Sequence, residues 1–370
     1  MKTNNREVNI AAKASMAYLN AKNPTVVRWT KRILIDTSYK LQHVASKVVK
    51  KFIKKKPDVT VGKPDFKTEV VTLLDKPLPI DTGTKTIRDL LNINDHGMVP
   101  ILSNPDKTNE DSTTVFYFPG CGSERLFSQI GLATLALLYN HGTKVVLPPS
   151  YLCCGYPQKA TGNADTAYKI STDNRVLFHR MANTLNYLDI QHVLTSCGTC
   201  IDQLETYGLG DIFHQSDLID IHEYLLANKV QMKSSNQKFL YHAPCHDPIK
   251  SDNSLSVIQN LLGSEVNDND RCCGEAGTFA VARPDIAKQV KYRKEIEIKN
   301  GLVELYGEED KVEKTTILTT CPACRQGLSR YSDSTGVTPA YPIEILAKEI
   351  LGDNWLKDFT EKVVIEKVLL

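Results

Sequence analysis

Ten cysteines carry the chemistry that this chain could do, and they are arranged twice in the same order. The first series is Cys121, then Cys153-Cys154 after 31 intervening residues, then Cys197-x-x-Cys200 after 42 more. The second is Cys245, then Cys272-Cys273 after 26 residues, then Cys321-x-x-Cys324 after 47. No cysteine falls outside the two series. Each vicinal pair is followed by a glycine, Gly155 or Gly274, which permits the sharp turn that aims two adjacent sulfurs into one small volume. A vicinal pair is too constrained for an ordinary structural disulfide. Two thiolates converging from one loop suit a large, soft metal assembly.

Other uses of cysteine fit less of the pattern. Structural zinc takes four ligands, commonly two close pairs separated by about 15–20 residues, whereas Cys200 and Cys321 lie far apart and each half offers five thiols. A thioredoxin-like dithiol accounts for Cys197 and Cys200 and leaves the other three idle. Inert buried cysteines have no reason to repeat in order. The Cys-x-x-Cys-x-x-Cys-x-x-x-Cys-Pro run of bacterial ferredoxins is absent, so a cluster here is of another type. A zinc-stabilised scaffold stays open as an alternative.

The elements that must position these sulfurs are also duplicated. Val115 to Phe118 reads as a buried strand, followed by a helix from Glu124 to Tyr139 and the strand Lys144 to Leu147. The Cys153-Cys154 loop, a helix from Asp165 to Leu188 and the strand His192 to Leu194 lead to Cys197. The second half repeats this with strand Phe239 to Tyr241, helix Ser254 to Leu262, the Cys272-Cys273 loop, a helix from about Phe279 to Lys299 and strand Thr316 to Leu318. The expected fold class is therefore α/β: two tandem duplicated units with mainly parallel sheets, preceded by a helical N-terminal extension. Cysteines placed just after strands gather at the carboxyl edge of such sheets, where ligand sites form.

The expected divisions are a basic helical extension over 1–62, a proline-rich connector over 63–113, the first cysteine-rich unit over 114–232 and the second, with its tail, over 233–370. Residues 1–110 hold 20 Lys/Arg against 11 Asp/Glu, and residues 111–370 hold 25 against 32, so a basic appendage precedes an acidic body. Lys47, Lys50, Lys51, Lys54, Lys55 and Lys56 form a run that suits a solvated helix end. Contact with an anionic membrane surface or an acidic partner is the sharper alternative. The first twenty residues lack an apolar signal core, and no run of about 18 apolar residues occurs. A reducing cytosol is expected, with peripheral contact at the inner face of the cytoplasmic membrane as an option and no nucleic-acid partner.

On these residues the two halves, over about 114–350, resemble the cysteine-rich CCG domains found in heterodisulfide reductases, in the iron–sulfur subunits of glycolate and lactate oxidases, and in anaerobic glycerol-3-phosphate dehydrogenase. The resemblance implies an oxidoreductase subunit in which each five-cysteine motif holds an iron–sulfur cluster of the [4Fe–4S] type, non-cubane where all five thiols are used. Cys121, Cys153, Cys154, Cys197 and Cys200 would hold one, and Cys245, Cys272, Cys273, Cys321 and Cys324 the other. The second copy is short before its vicinal pair and long after it, so a cubane on four of five thiols stays open.

Residues 343–370, with Gly352-Asp353-Asn354-Trp355, are similar to the end of long FAD-linked D-lactate dehydrogenases. This implies a flavoprotein or ferredoxin-like electron donor and a quinone-linked acceptor, with no FAD or NAD site in this chain. Likeness to heterodisulfide reductase offers instead catalytic cleavage of a disulfide. The resemblance also sets His242 and His246, in Tyr241-His-Ala-Pro-Cys-His-Asp247, beside a cluster, where outer groups tune potential. His246 and Glu275 are the candidate proton carriers, with helix capping as the plainer use of the histidines and a solvent-facing helix start the expected setting for Glu275. Gly120 and Gly277 are expected to shape cluster loops, and Gly122, Gly198 and Thr199 to offer backbone amides to sulfur.

Overall fold

The computed structural model describes residues 16–49, 70, 74–79, 85–251, 253–275, 283–307 and 315–370. Lys50, Lys51, Lys54, Lys55 and Lys56, Gly277, the first part of the basic helical extension and the start of the helix expected at Phe279 lie outside them.

The described N-terminal part is helical, as expected of the basic extension. Asn23 accepts hydrogen bonds from the Thr25 and Val26 amides and so caps α1 (Pro24–Thr30), whose first residue is a proline needing no partner. A wider helical turn (Lys31–Thr37) leads into α2 (Ser38–Val49). Thr86 and Asp89 form a capping box on the short α3 (Ile87–Leu91). The stretch expected to be an extended connector then supplies a strand, β1 (Met98–Leu102).

The first repeat runs β2 (Thr114–Phe118), α4 (Ser128–His141), β3 (Lys144–Val146), α5 (Tyr156–Ala160), α6 (Ala164–Thr184), β4 (Ile190–Thr195), α7 (Gly198–Leu204), α8 (Leu209–Ile212), β5 (Asp217–Asp220) and α9 (Ile221–Ala227). The second runs β6 (Lys238–His242), α10 (Ser254–Leu262), β7 (Glu265–Asp268), α11 (Pro284–Tyr306), β8 (Thr316–Thr319), α12 (Pro322–Ser329), α13 (Ser332–Thr335), β9 (Thr338–Ala340) and α14 (Pro342–Leu351). Then come α15 (Trp355–Lys362) and β10 (Ile365–Leu369).

Parallel strands in the order β3-β2-β4-β5 form one sheet, and β7-β6-β8-β9 repeat that order in the other. The first sheet is extended by β1, antiparallel to β3, and by β10, antiparallel to β1. All five residues of β2 are buried because both faces of its sheet are covered. Val115 and Tyr117 point into a core shared with Phe239 and Tyr241 of the second sheet, and with residues of α4, α10 and α14. Phe116 and Phe118 point the other way, among Phe178, Cys154, Cys197 and Cys200. In the second sheet Leu240 likewise points outward, among Cys273, Cys321 and Cys324. Helices are thus sandwiched between two sheets. The α4 sequence, apolar nearly all round, suits that buried place.

The helix expected from Glu124 is divided. A wide turn (Gly122–Leu126) is followed by Phe127 at φ −119°, and regular helix begins at Ser128. Glu124 and Arg125 are wholly drawn into the interior by partners described below, and the wide turn is the local deformation that places them.

Candidate metal centres

All six cysteine groups lie just past the carboxyl ends of strands. Gly155 and Gly274 adopt positive φ of 91° and 75°, which turns each vicinal pair inward. Cys153, Cys154, Cys197, Cys200, Cys273, Cys321 and Cys324 are buried; Cys121 and Cys272 are half-buried and Cys245 is exposed.

The sulfurs form one unbroken line of contacts. Cys121 meets Cys153, Cys153 meets Cys154, Cys154 meets Cys200 and Cys200 meets Cys197. In the second series Cys245 meets Cys272, Cys272 meets Cys273, Cys273 lies 3.7 Å from Cys324, and Cys324 meets Cys321. Cys197 and Cys321 join the two series. Hydrogen bonds from Cys153 and Cys200 hold Cys154 toward thiolate, as those from Cys200 and Cys321 do for Cys197 and those from Cys245 and Cys273 do for Cys272. Ten thiols this close share protons because they cannot all ionise together. A cationic metal assembly bound here would replace those protons.

The surroundings repeat less faithfully. Tyr207 donates to the Cys154 carbonyl at 2.8 Å, and Tyr331 donates to the Cys273 carbonyl at 3.0 Å. The cations differ. Beside the first series, fully buried Arg125 donates to the carbonyls of Tyr18 at 2.5 Å and Ala21 at 2.8 Å and packs on the Tyr151 ring. Arg88 pairs with Glu124 at 2.7 Å behind it. Beside the second series the buried cations are Lys291, Lys294, Arg325 and Arg330.

Glu275, expected to face solvent, is buried instead: Lys291 Nζ lies 3.0 Å and Arg330 Nη1 3.5 Å from its carboxylate. Burial alone would raise its pKa, but the two cations outweigh burial and hold it at about 2, below the ordinary 4.5. Its contribution to stability is therefore full above about pH 4.5 and lost as pH falls toward 2. Glu275→Gln leaves two buried cations without their anion and is expected to cost roughly 3 kcal/mol at neutral pH. Urea titrations should show that gap narrowing as the pH falls through about 4.

The histidines divide in role. His246 Nε2 lies 2.6 Å from the Tyr156 hydroxyl, its Nδ1 faces the Asp202 carboxylate, and Lys250 reaches Asp202 at 3.5 Å. This group joins the first vicinal-pair loop to the first cysteine of the second copy at a solvent-open edge. Asp247 turns its carboxylate to the Ile249 amide at 3.1 Å. His242 is wholly buried. Thr199 Oγ1 lies 3.2 Å from Cys197 Sγ, so it is the hydroxyl that meets this sulfur, while the backbone amide bonded to it is that of Cys200. Gly120 lets the chain pass Cys200, since a Cβ there would lie 2.8 Å from the sulfur. Arg125, Tyr156, Asp202, Lys291 and Arg330 are absent from the expectations because no motif marks them; only the folded chain brings them to the cysteines.

Two duplicated α/β sheets each collect five soft donors at the carboxyl edge, flanked by buried cations, which is the donor set of a thiolate metal centre of the redox kind. The donor set fits an iron–sulfur cluster in number and softness and exceeds what tetrahedral zinc uses. The chain carries the CCG domain twice: the model described as "Cysteine-rich domain" matches residues 115–205 and again 239–329. A model described as a domain of unknown function, DUF3400, matches 329–370.

The chain is 25% identical over 242 residues to one subunit of the fumarate reductase (CoM/CoB) from Methanothermobacter marburgensis, covering 62% of this chain and 44% of that one. It is 24% identical over 198 residues to lactate utilization protein A from an Exiguobacterium, covering 48% and 77%. With a probable glycolate oxidase iron–sulfur subunit from Bacillus subtilis it shares 24% over 249 residues, covering 58% and 51%. The chain thus spans less than half of the first relative's length and about half of the last's. The first of these names is a reductase subunit's and the last an oxidase iron–sulfur subunit's.

Proposed function

We propose that this chain is the iron–sulfur electron-transfer module of a flavin-linked dehydrogenase acting on a 2-hydroxy acid, D-lactate or glycolate. Cys121, Cys153, Cys154, Cys197 and Cys200 hold one [4Fe–4S] cluster, cubane or non-cubane, and Cys245, Cys272, Cys273, Cys321 and Cys324 hold a second. The observation that carries this reading is the continuous line of sulfurs joined at Cys197 and Cys321, the edge-to-edge proximity that a relay needs. When bound, such clusters take up and release single electrons. The chain's own residues hold the sulfurs in place, shield them from water and offset their negative charge with Arg125, Lys291 and Lys294. Cys245 and Cys272 are the more open thiols of the second set, so a flavoprotein or ferredoxin-like donor, or a quinone-linked acceptor, docks at that edge. The names lactate utilization protein A and glycolate oxidase iron–sulfur subunit support the substrate class of the partner.

The test is iron, sulfide and zinc content of anaerobically purified protein, with EPR during stepwise redox poising. About eight irons with matching sulfide are expected for two clusters of this type. Stoichiometric zinc without sulfide sinks the reading. Catalytic reduction of a mixed disulfide by the reduced protein alone would move it to the disulfide-cleaving class.

One face of the N-terminal helices supports a peripheral membrane contact. Val26, Trp29, Ile33, Leu41, Val44 and Val48 are exposed along 24–49, beside the exposed Arg28, Arg32, Lys40 and Lys47. An exposed apolar stripe flanked by cations matches an anionic lipid surface. Among the described residues no helix is long and apolar enough to cross a membrane. Sedimentation with phosphatidylglycerol vesicles is expected to carry the protein down at low salt, and Trp29→Asp with Leu41→Asp should weaken binding about tenfold or more. Equal binding by parent and double variant removes this contact.

A further inference from the structure

His242 has no counterpart in the first half. The four parallel strands follow the same order in both sheets, and the position that His242 occupies at the end of β6 is occupied by Phe118 at the end of β2. Side chains alternate along a strand, so His242 shares the outward direction of Leu240, toward the layer holding Cys273, Cys321 and Cys324. Phe118 sits in the matching layer of the first half with Cys154, Cys197 and Cys200. An aromatic hydrocarbon thus suffices at one centre, while the other carries an imidazole that is fully buried.

Its two nitrogens are not equivalent. Nδ1 lies 3.2 Å from the backbone oxygen of Asn269, an atom that can only accept, so Nδ1 bears the proton. Nε2 then presents a lone pair, and among the described residues it has no hydrogen-bond partner. A buried nitrogen left so is destabilising, a cost that Phe118 shows the fold could avoid. A ring nitrogen of His242 and the sulfurs of Cys273 and Cys324 all lie within 4.8 Å of one another. An imidazole with one N–H fixed by a backbone carbonyl, its other nitrogen unpartnered and its ring set beside two converging thiols, has the arrangement usual in metal-ligating histidines.

We infer that the second centre is a mixed nitrogen–sulfur site in which His242 Nε2 binds iron beside Cys273 and Cys324, while the first centre is all-sulfur. This rests on the reading of the second cysteine set as cluster ligands. With the imidazole in place of one of the five thiolates, leaving four sulfur ligands, the centre carries less negative charge, and Lys294, which donates to the same Asn269 oxygen at 2.5 Å, acts in the same direction. Both raise the reduction potential of the second centre above that of the first.

The experiment is pulsed EPR on the whole chain, grown with natural or 15N-labelled histidine and poised where the second centre is paramagnetic. A strong nitrogen coupling that scales with the histidine isotope is expected in the parent protein and in His246→Gln, which removes the other imidazole near this set. It should be lost in His242→Phe, with a downward shift in the potential of the second centre only. A second cluster present by iron, sulfide and EPR but lacking coupling to labelled histidine overturns the inference and leaves the function standing. Absence of iron from the parent protein overturns both. Should His242→Phe not fold, the labelled parent and the His246→Gln protein decide the matter between them.

Discussion

Cys273→Ser should cut the iron and sulfide content to roughly half and abolish one EPR signal while leaving the other. Cys273 sits in the middle of the second series, touching Cys272 on one side and lying 3.7 Å from Cys324 on the other. Its sulfur is packed so closely that a Cβ on Gly327 would lie 3.0 Å away, and Tyr331 pins its carbonyl. Serine presents a harder, shorter ligand that iron in a sulfide cluster accepts poorly, and the pinned backbone cannot advance to compensate. The first series keeps its five thiols, with its line shape altered because Cys197 touches Cys321 of the damaged set. Cys154→Ser, at the corresponding place in the first half, should give the mirror result. Loss of both signals in Cys273→Ser, with circular dichroism unchanged, would show that the ligand sets are not separate.

Much of this was legible before folding because the cysteine order repeats and strand-like segments precede each group. The parallel sheets and the turn at each Cys-Cys-Gly follow from that. The shortfall before the second vicinal pair equals the excess after it, so the spacing difference only moves the pair along its loop. What stayed hidden depends on contacts between distant segments. Pro100 made Met98–Leu102 read as connector, since proline removes a ladder donor. Yet that strand lies between β3 and β10, with Pro100 opposite Lys367 and its carbonyl accepting from Leu147 at 2.9 Å. Its partner β10 is only five residues long and comes from the far end of the chain. Glu275 looked exposed because a carboxylate after a glycine usually is; Lys291 and Arg330, from later helices, are what bury it.

His242 shows the reverse case. It stood out beside Cys245 in sequence, but its neighbourhood proves to be Cys273 and Cys324 rather than the cysteine three places on. Alternation along β6 decides this. The same alternation sends Tyr241 into the shared core, where its hydroxyl lies 3.3 Å from Thr320, as Tyr117 lies 2.8 Å from Ser196 in the first half. Proximity along the chain is a poor guide to a ligand when successive strand residues point to opposite faces.

The largest loss from a single methyl group is expected at Gly198. A Cβ there would lie 1.6 Å from the His246 carbonyl oxygen, a backbone atom that cannot rotate away. Across the same junction, a Cβ on Gly122 would lie 2.5 Å from Pro322. The residue after Cys197 thus packs on the residue after Cys245, and the residue after Cys121 on that after Cys321. Such reciprocal contacts are those of a two-fold interface between equivalent units, here within one chain, and they hold Cys197 against Cys321. Gly198→Ala must part the halves locally, at an expected cost of roughly 3 kcal/mol. Gly210→Ala, whose nearest obstacle is the Ser216 carbonyl at 3.3 Å in α8, should fold normally. Denaturant midpoints compare the two. Relaxation-enhanced EPR then reads the distance between centres: Gly198→Ala should weaken their magnetic interaction even where both clusters are retained. Unchanged stability and undiminished coupling would mean that the junction does not set the spacing of the sulfurs.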